Sequence, residues 1–180
     1  MIERPAHAGT GAPHAVFVGL GTNLGDRLAN LARAAGALAA VPGVELQRCS
    51  GVFASRPVGG PPQPGYLNAA IELCTARAPL ALLAELKALE RALGRAPSER
   101  WGPRLIDLDL LLWGAQVVAE PELQVPHLAL HQRAFALAPL CELAPHAVHP
   151  VLGHSIQTLL AAVDVQGQGV ARVGSFPGGW

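Results

Sequence analysis

Lysine is almost missing from this chain: Lys87 stands alone beside twelve arginines. Phosphate recognition would therefore rest on guanidinium forks, and a P-loop, which needs a lysine after its glycines, is excluded. Net charge is also lacking, since 13 Lys and Arg balance 13 Asp and Glu, and no basic run stands out. The electrostatic footprint of a nucleic-acid-coating protein is absent, so no nucleic-acid partner is expected. No apolar stretch approaches the roughly 20 residues needed to span a bilayer. The opening MIERPAHAGTGAPHAV has neither a hydrophobic signal core nor an Arg-rich amphipathic pattern, so a cytoplasmic location is expected. Cysteine is sparse as well. Cys49, Cys74 and Cys141 are scattered among apolar neighbours, which suits buried free thiols and neither a disulfide framework nor a metal knuckle.

What is present is a chain of 180 residues, 51% of them hydrophobic, enough to bury one core but short for two domains. Residues 1–14 and the Gly-rich 165–180 lack periodicity and are expected to be flexible tails around a domain at 15–164. Ala15 to Leu20 reads as a strand. Leu28, Leu31, Ala35 and Leu38 then recur at helical steps until Pro42 and Gly43. Val44 to Phe53 and the run from Tyr66 read as adjacent strands, separated by a Pro/Gly-rich loop at 54–65. In YLNAAIELC, parity places Leu67, Ala69, Ile71 and Leu73 on one face and Tyr66, Asn68, Ala70 and Glu72 on the other. Pro79 opens a helix with Leu82, Leu86, Leu89 and Leu93 on its buried stripe, and Gly94 closes it. LIDLDLLLW puts Ile106, Leu108, Leu110 and Leu112 on one strand face, with Asp107 and Asp109 opposite. A hairpin near 116–125, a helix within 131–143 and a last helix carrying Ile156, Leu159, Leu160 and Val163 follow. The order βαββαβ with additions predicts an α+β, ferredoxin-like sandwich.

Asp107 and Asp109 are the main chemical anomaly. Two residues apart on a strand, their Cβ atoms lie about 6.5 to 7 Å apart, and their oxygens can approach much closer. At about 4 Å and an effective dielectric near 20, such a pair repels by roughly 4 kcal/mol. Two readings remain open: the pair holds a hard divalent cation such as Mg²⁺, completed by water and phosphate oxygens, or it is neutralised by Arg100 or Arg104. Arg95, Arg100 and Arg104 precede the acidic strand in one short loop, so phosphate clamps and metal ligands arrive together, the layout of phosphoryl transfer. Tyr66 and Asn68 share a face on which a flat heterocycle could stack and be read at its edge, although packing and turn chemistry would use the same residues. GLGTNLGD invites a dinucleotide-fold reading but misses its spacing, with Leu24 in place of the third glycine. His146 and His149, between prolines, are expected at the surface, and His127 is ambiguous alone.

Taken in order, GLGTNLGDR, PGYLNAAIEL, LKALERALGR, RWGPRLIDLDLLLW and VPHLALHQRAFALAPLCELAP resemble the hydroxymethyl-dihydropterin pyrophosphokinase family from about residue 15 to 162. RWGPRxxDLDxLL is the specific part, because it joins an arginine clamp to the acidic strand. The resemblance implies a ferredoxin-like fold and transfer of diphosphate from ATP to 6-hydroxymethyl-7,8-dihydropterin, releasing AMP, in tetrahydrofolate biosynthesis. It implies two Mg²⁺ ions on Asp107 and Asp109, with Arg95 and Arg104 also catalytic. Pterin would lie between Tyr66 and Phe135, with Asn68 at its edge and Ser55, Pro57 and Val58 closing the pocket. ATP would be held through Glu90, Arg100, Trp101, Arg104, His127 and Arg133, and the loops at 54–65 and 95–103 would act as lids. The family also implies a monomer. A catalytically silent pterin- or nucleotide-binding module on the same scaffold is the alternative.

Overall fold

A computed structural model describes residues 12–95 and 102–178. Its elements follow as β1 (His14–Thr22), α1 (Arg27–Ala39), β2 (Val44–Cys49), β3 (Val52–Ser55), β4 (Tyr66–Thr75), α2 (Pro79–Ala92) and β5 (Asp107–Trp113). After these come β6 (Val118–Glu120), β7 (Leu123–Val125), α3 (Ala134–Leu143), α4 (Ile156–Ala162) and β8 (Ala171–Gly174). The main sheet runs β5-β1-β4-β3-β8, with β2 also on β4, and its paired strands are antiparallel. The βαββαβ order is thus that of the ferredoxin-like fold, with its second strand broken into β2 and β3. The break falls at Ser50, whose N–H donates to Ala70 O at 2.9 Å while its hydroxyl accepts the Ala70 N–H, also at 2.9 Å. A strand edge that would otherwise be unpaired at the break is therefore satisfied by one side chain.

Alternation along the central strands divides the interior in two. Val16, Val18 and Leu20 of β1, and Ala69, Ile71 and Leu73 of β4, meet Leu31, Leu38, Leu82 and Leu86 of α1 and α2. Each of those four fully buried leucines contributes about 1.5 to 3 kcal/mol by leaving water. On the opposite face, Phe17 and Ala70 join Leu137, Leu140, Ile156 and Leu159 of α3 and α4. Helix ends follow their sequence signals. Asp26 accepts the Ala29 N–H at 3.0 Å to cap α1, Pro79 occupies the first turn of α2, and Gly94, at φ +94°, ends α2 and redirects the chain.

Three expectations are corrected. His149, expected at the surface, is buried. Leu112 does not share a face with Leu108 and Leu110, because a bulge on β5 makes Phe17 pair with Leu112 and Val18 with Leu110, with Leu111 as the extra residue. Leu112 consequently joins the α3 and α4 cluster. The segment 165–180 was expected as a flexible tail, yet Ala171–Gly174 forms β8 along the outer edge of β3. Val170 and Phe176, both buried, anchor it on either side. Residues 1–11 lie outside the described residues, and His14 already belongs to β1.

Candidate active site

Two glycines form the floor of the cleft. β1 lies between β4 and β5, so Gly21 stands opposite Asn68 on one side and Asp107 on the other, and Gly19 stands opposite Ala70 and Asp109. A Cβ on Gly21 would sit 3.6 Å from Asn68 Oδ1, 3.8 Å from Tyr66 Cδ1 and 3.9 Å from the Asp107 Cβ. Above this bare backbone is a cavity of about 500 Å³. The glycines of GLGTNLGD thus clear space rather than wrap a pyrophosphate. The rest of that motif turns the chain, with Gly25 at φ +62°, and hands it to the Asp26 cap.

Asn23, from the same motif, is 1% exposed and ties three segments together. Its Oδ1 accepts the Arg104 N–H at 2.8 Å, and its Nδ2 donates to Gln63 Oε1 at 2.9 Å and Pro64 O at 3.0 Å. Both loops flanking the cleft are therefore hung from the end of β1.

The acidic pair lies on one face of β5, as the strand period requires, but its two members differ. Asp107 accepts from Arg95 at 2.6 Å and from Arg104 at 2.8 Å. Among the described residues the arginines close on Asp107 and none closes on Asp109. Burial, and then the Asp107 charge, push the Asp109 carboxyl from its ordinary 3.8 up to about 6. Lys87, Arg133 and Arg95 act in the opposite sense from further off. No group of three His, Cys, Asp or Glu side chains suited to a metal is found among the described residues. The two-carboxylate oxygen set fits a hard cation that completes its shell with water and phosphate.

Glu90 supports this wall from beneath. It is 2% exposed, accepts the Leu108 N–H at 2.8 Å, and pairs with Arg95 and, at 3.2 Å, with Lys87 Nζ. Leu108 lies on β5, at the end of the sheet order, so the carboxylate takes the place of a neighbouring strand there. Burial raises the Glu90 carboxyl, against the lowering effects of the Leu108 N–H, Lys87 and Arg95.

The other walls are flatter and more apolar. Tyr66 lines the cavity with its hydroxyl held at 3.2 Å by Gln63 Oε1. Asn68 is 4% exposed, and its Nδ2 donates to Ser55 Oγ at 2.9 Å and Phe53 O at 3.3 Å, which fixes the amide plane. Phe135, at the start of α3, carries the Arg133 guanidinium 5.7 Å from its ring centroid. His127 accepts the Ala129 N–H on Nδ1, at 3.2 Å, and burial followed by Arg133 lowers its pKa. Both effects favour the uncharged ring, and with Nδ1 accepting, its proton lies on Nε2.

This chain has recognisable relatives. The family model for 7,8-dihydro-6-hydroxymethylpterin-pyrophosphokinase matches residues 17–145. The chain belongs to this family. The 2-amino-4-hydroxy-6-hydroxymethyldihydropteridine pyrophosphokinase of Synechocystis sp. is 43% identical over 151 residues, covering 84% of this chain and 77% of that relative. The like-named protein of Methylorubrum extorquens is 40% identical over 151 residues, covering 84% of this chain and 94% of its own. Among solved structures, wild-type Plasmodium falciparum HPPK-DHPS superposes with a TM-score of 0.65 at 13% identity, over 83% of this chain and 44% of that one. That likeness bears on the fold, and the chain spans less than half of the longer protein.

In this pyrophosphokinase-family chain, one cavity brings together Ser55, Val58, Tyr66, Asn68 and Phe135 with Arg95, Arg104, Asp107, Asp109, His127 and Arg133. Pro57 and Glu90 do not line it: Pro57 only links its lining neighbours, and Glu90 acts through Arg95 and Leu108. Arg100 and Trp101 lie outside the described residues. Sequence reasoning missed Gly19, Gly21, Arg56 and Lys87 as lining residues and Asn23 as the bracket. Gly19, Gly21 and Asn23 stood inside a motif weighed as a dinucleotide fingerprint and as part of the family resemblance, with no role given to these residues. The partners of Arg56, the Gln166 and Gly167 carbonyls, are distant in sequence and left no local signal.

Proposed function

We propose that the chain transfers the terminal diphosphate of ATP to the hydroxymethyl oxygen of 6-hydroxymethyl-7,8-dihydropterin, releasing AMP, as a step of tetrahydrofolate biosynthesis. One observation carries this reading: two carboxylates and four arginines, two of them paired with Asp107, share a cavity with a tyrosine, a phenylalanine and an orientation-fixed amide. In it, the pterin lies on the glycine floor between Tyr66 and Phe135. Asn68 reads its edge, and Ser55 and Val58, joined through Pro57, close that end.

ATP reaches Arg95, Arg104, His127 and Arg133, with Arg100 and Trp101 completing the clamp and Glu90 aiming Arg95 from below. Arg95 and Arg104, now on Asp107, exchange that carboxylate for phosphate oxygens as the nucleotide arrives. Asp107 is thereby released and, together with Asp109, would hold Mg²⁺, two ions in this reading. Bound there, the ions would neutralise triphosphate charge and lower the barrier to in-line displacement. The hydroxymethyl oxygen attacks the β-phosphorus, the bond to the α-phosphate's bridging oxygen breaks, and AMP leaves with that electron pair. In this reading Asp109 also orients the hydroxyl or takes its proton.

The test is a nucleotide assay with ATP, Mg²⁺ and the pterin alcohol. AMP is expected only when the pterin is present. ADP would mark a simple kinase, and no nucleotide product would mark a silent pterin- or nucleotide-binding module, either of which overturns the proposal.

A further inference from the structure

The family match ends at residue 145, yet the chain beyond it reaches back to the backbone that carries Arg133 into the cleft. Residues 164–170 fold into a compact turn, with Gly167 N donating to Asp164 Oδ1 at 2.7 Å and Val170 N to Val165 O at 3.1 Å. From this turn the Gln168 amide makes two backbone contacts. Its Oε1 accepts the Ala134 N–H at 2.9 Å, and its Nε2 donates to Gln132 O at 3.0 Å. Those two groups flank Arg133, so one side chain grips the peptide units on both sides of it, much as a neighbouring strand would.

The grip matters because Arg133 is the N-cap residue of α3 and has no side-chain cap of its own. Gln168 supplies the missing acceptor to the first helical N–H from 34 residues away. A second observation points the same way. Val170 and Val165 pack with Ala134 and Phe135 in one apolar cluster, beneath the ring that enters the cavity.

We propose that Gln168 is a positioning residue for substrate binding: by fixing the backbone on both sides of Arg133, it sets the directions in which Arg133 and Phe135 enter the cleft. This rests on the pyrophosphokinase reading of that cleft. The residue touches neither substrate and acts through the start of α3.

Steady-state kinetics on the full chain, with thermal unfolding alongside, test the proposal through two variants. Gln168→Ala removes the grip, and KM for both ATP and the pterin is expected to rise about fivefold to tenfold, with kcat within about threefold, because binding geometry is lost rather than a reacting group. Phe176→Leu loosens packing in the same C-terminal segment but leaves the turn and its amide untouched; it is expected to lower Tm and leave both KM values within about twofold. Unchanged KM values in Gln168→Ala, or an equal rise in Phe176→Leu, would overturn the positioning role. A wild-type chain that yields no AMP with the pterin present would remove the cleft reading, and this inference with it. Active wild type with an indifferent Gln168→Ala would remove the inference alone.

Discussion

At Asp109, burial and the Asp107 charge act on a carboxyl that has no arginine close by, and the raised pKa turns into a pH-dependent cost. Below about pH 4 the group is protonated in both the folded and unfolded chain, and nothing is lost. Between 3.8 and about 6 the unfolded chain releases the proton first, so stability falls as pH rises through that window. Above it, a shift from 3.8 to about 6 corresponds to a deficit of about 3 kcal/mol. Asp109→Asn is therefore expected to stabilise the metal-free protein by about that amount at pH 8 and by little at pH 4, read from urea unfolding at both pH values. The same variant should lose at least about a thousandfold in kcat, since it removes the proposed charged ligand and proposed proton acceptor together. Equal unfolding midpoints at pH 8 would contradict the account of Asp109.

Gly21 gives a second residue-scale expectation. A Cβ there meets its neighbours at ordinary contact distances, so Gly21→Ala should fold with Tm nearly unchanged. The added methyl projects among Asn68, Tyr66 and Asp107, where the pterin ring is proposed to lie. Isothermal titration should then show pterin affinity lowered by about tenfold or more.

Among the elements, β5 depends most on a partner distant in sequence. Replacing Glu90 by Ala leaves the Leu108 N–H and part of the Arg95 charge unsatisfied near the core, which costs about 3 kcal/mol. Denaturant unfolding should show this, with kcat/KM reduced as Arg95 loses its support. Glu90→Gln, which retains an acceptor for Leu108, should recover part of the stability.

The same strand shows what could and could not be read beforehand. The faces of β4, and the placing of Asp107 and Asp109 together, were legible because a period of two separates them cleanly from the leucines. The bulge was not legible: from Leu110 onwards every residue is apolar, so either face looks equally suited to burial. β8 was hidden for the opposite reason. Ala171, Arg172 and Val173 are exposed, and a strand held by backbone bonds at a sheet edge leaves no hydrophobic pattern. Helix ends marked by Pro79, Gly94 and Asp26 were local chemistry and could be read locally, at least for the first two. Asn23 and Gln168 could not, since their partners lie tens of residues away.

For the molecule as a whole, the site brings together β1, β4, β5, the end of α2 and the start of α3, so occupancy should be felt by the entire fold. A non-hydrolysable ATP analogue with Mg²⁺, at about a hundred times its Kd, is expected to add about 2.7 kcal/mol to unfolding stability. Without the divalent ion the gain should shrink markedly, because Asp107 and Asp109 would then face phosphate oxygens with no intervening positive charge. Differential scanning calorimetry with and without a chelator checks this. An equal gain under both conditions would count against the acidic pair as a cation site.

The bare floor at Gly19 and Gly21 also bears on how the protein could escape an inhibitor. A flat compound resting there would touch peptide groups, which no codon change can alter. Enlarging either glycine to evict the drug would obstruct the natural ligand in the same stroke. Escape variants selected against such a compound are expected to map to the surrounding walls and loops.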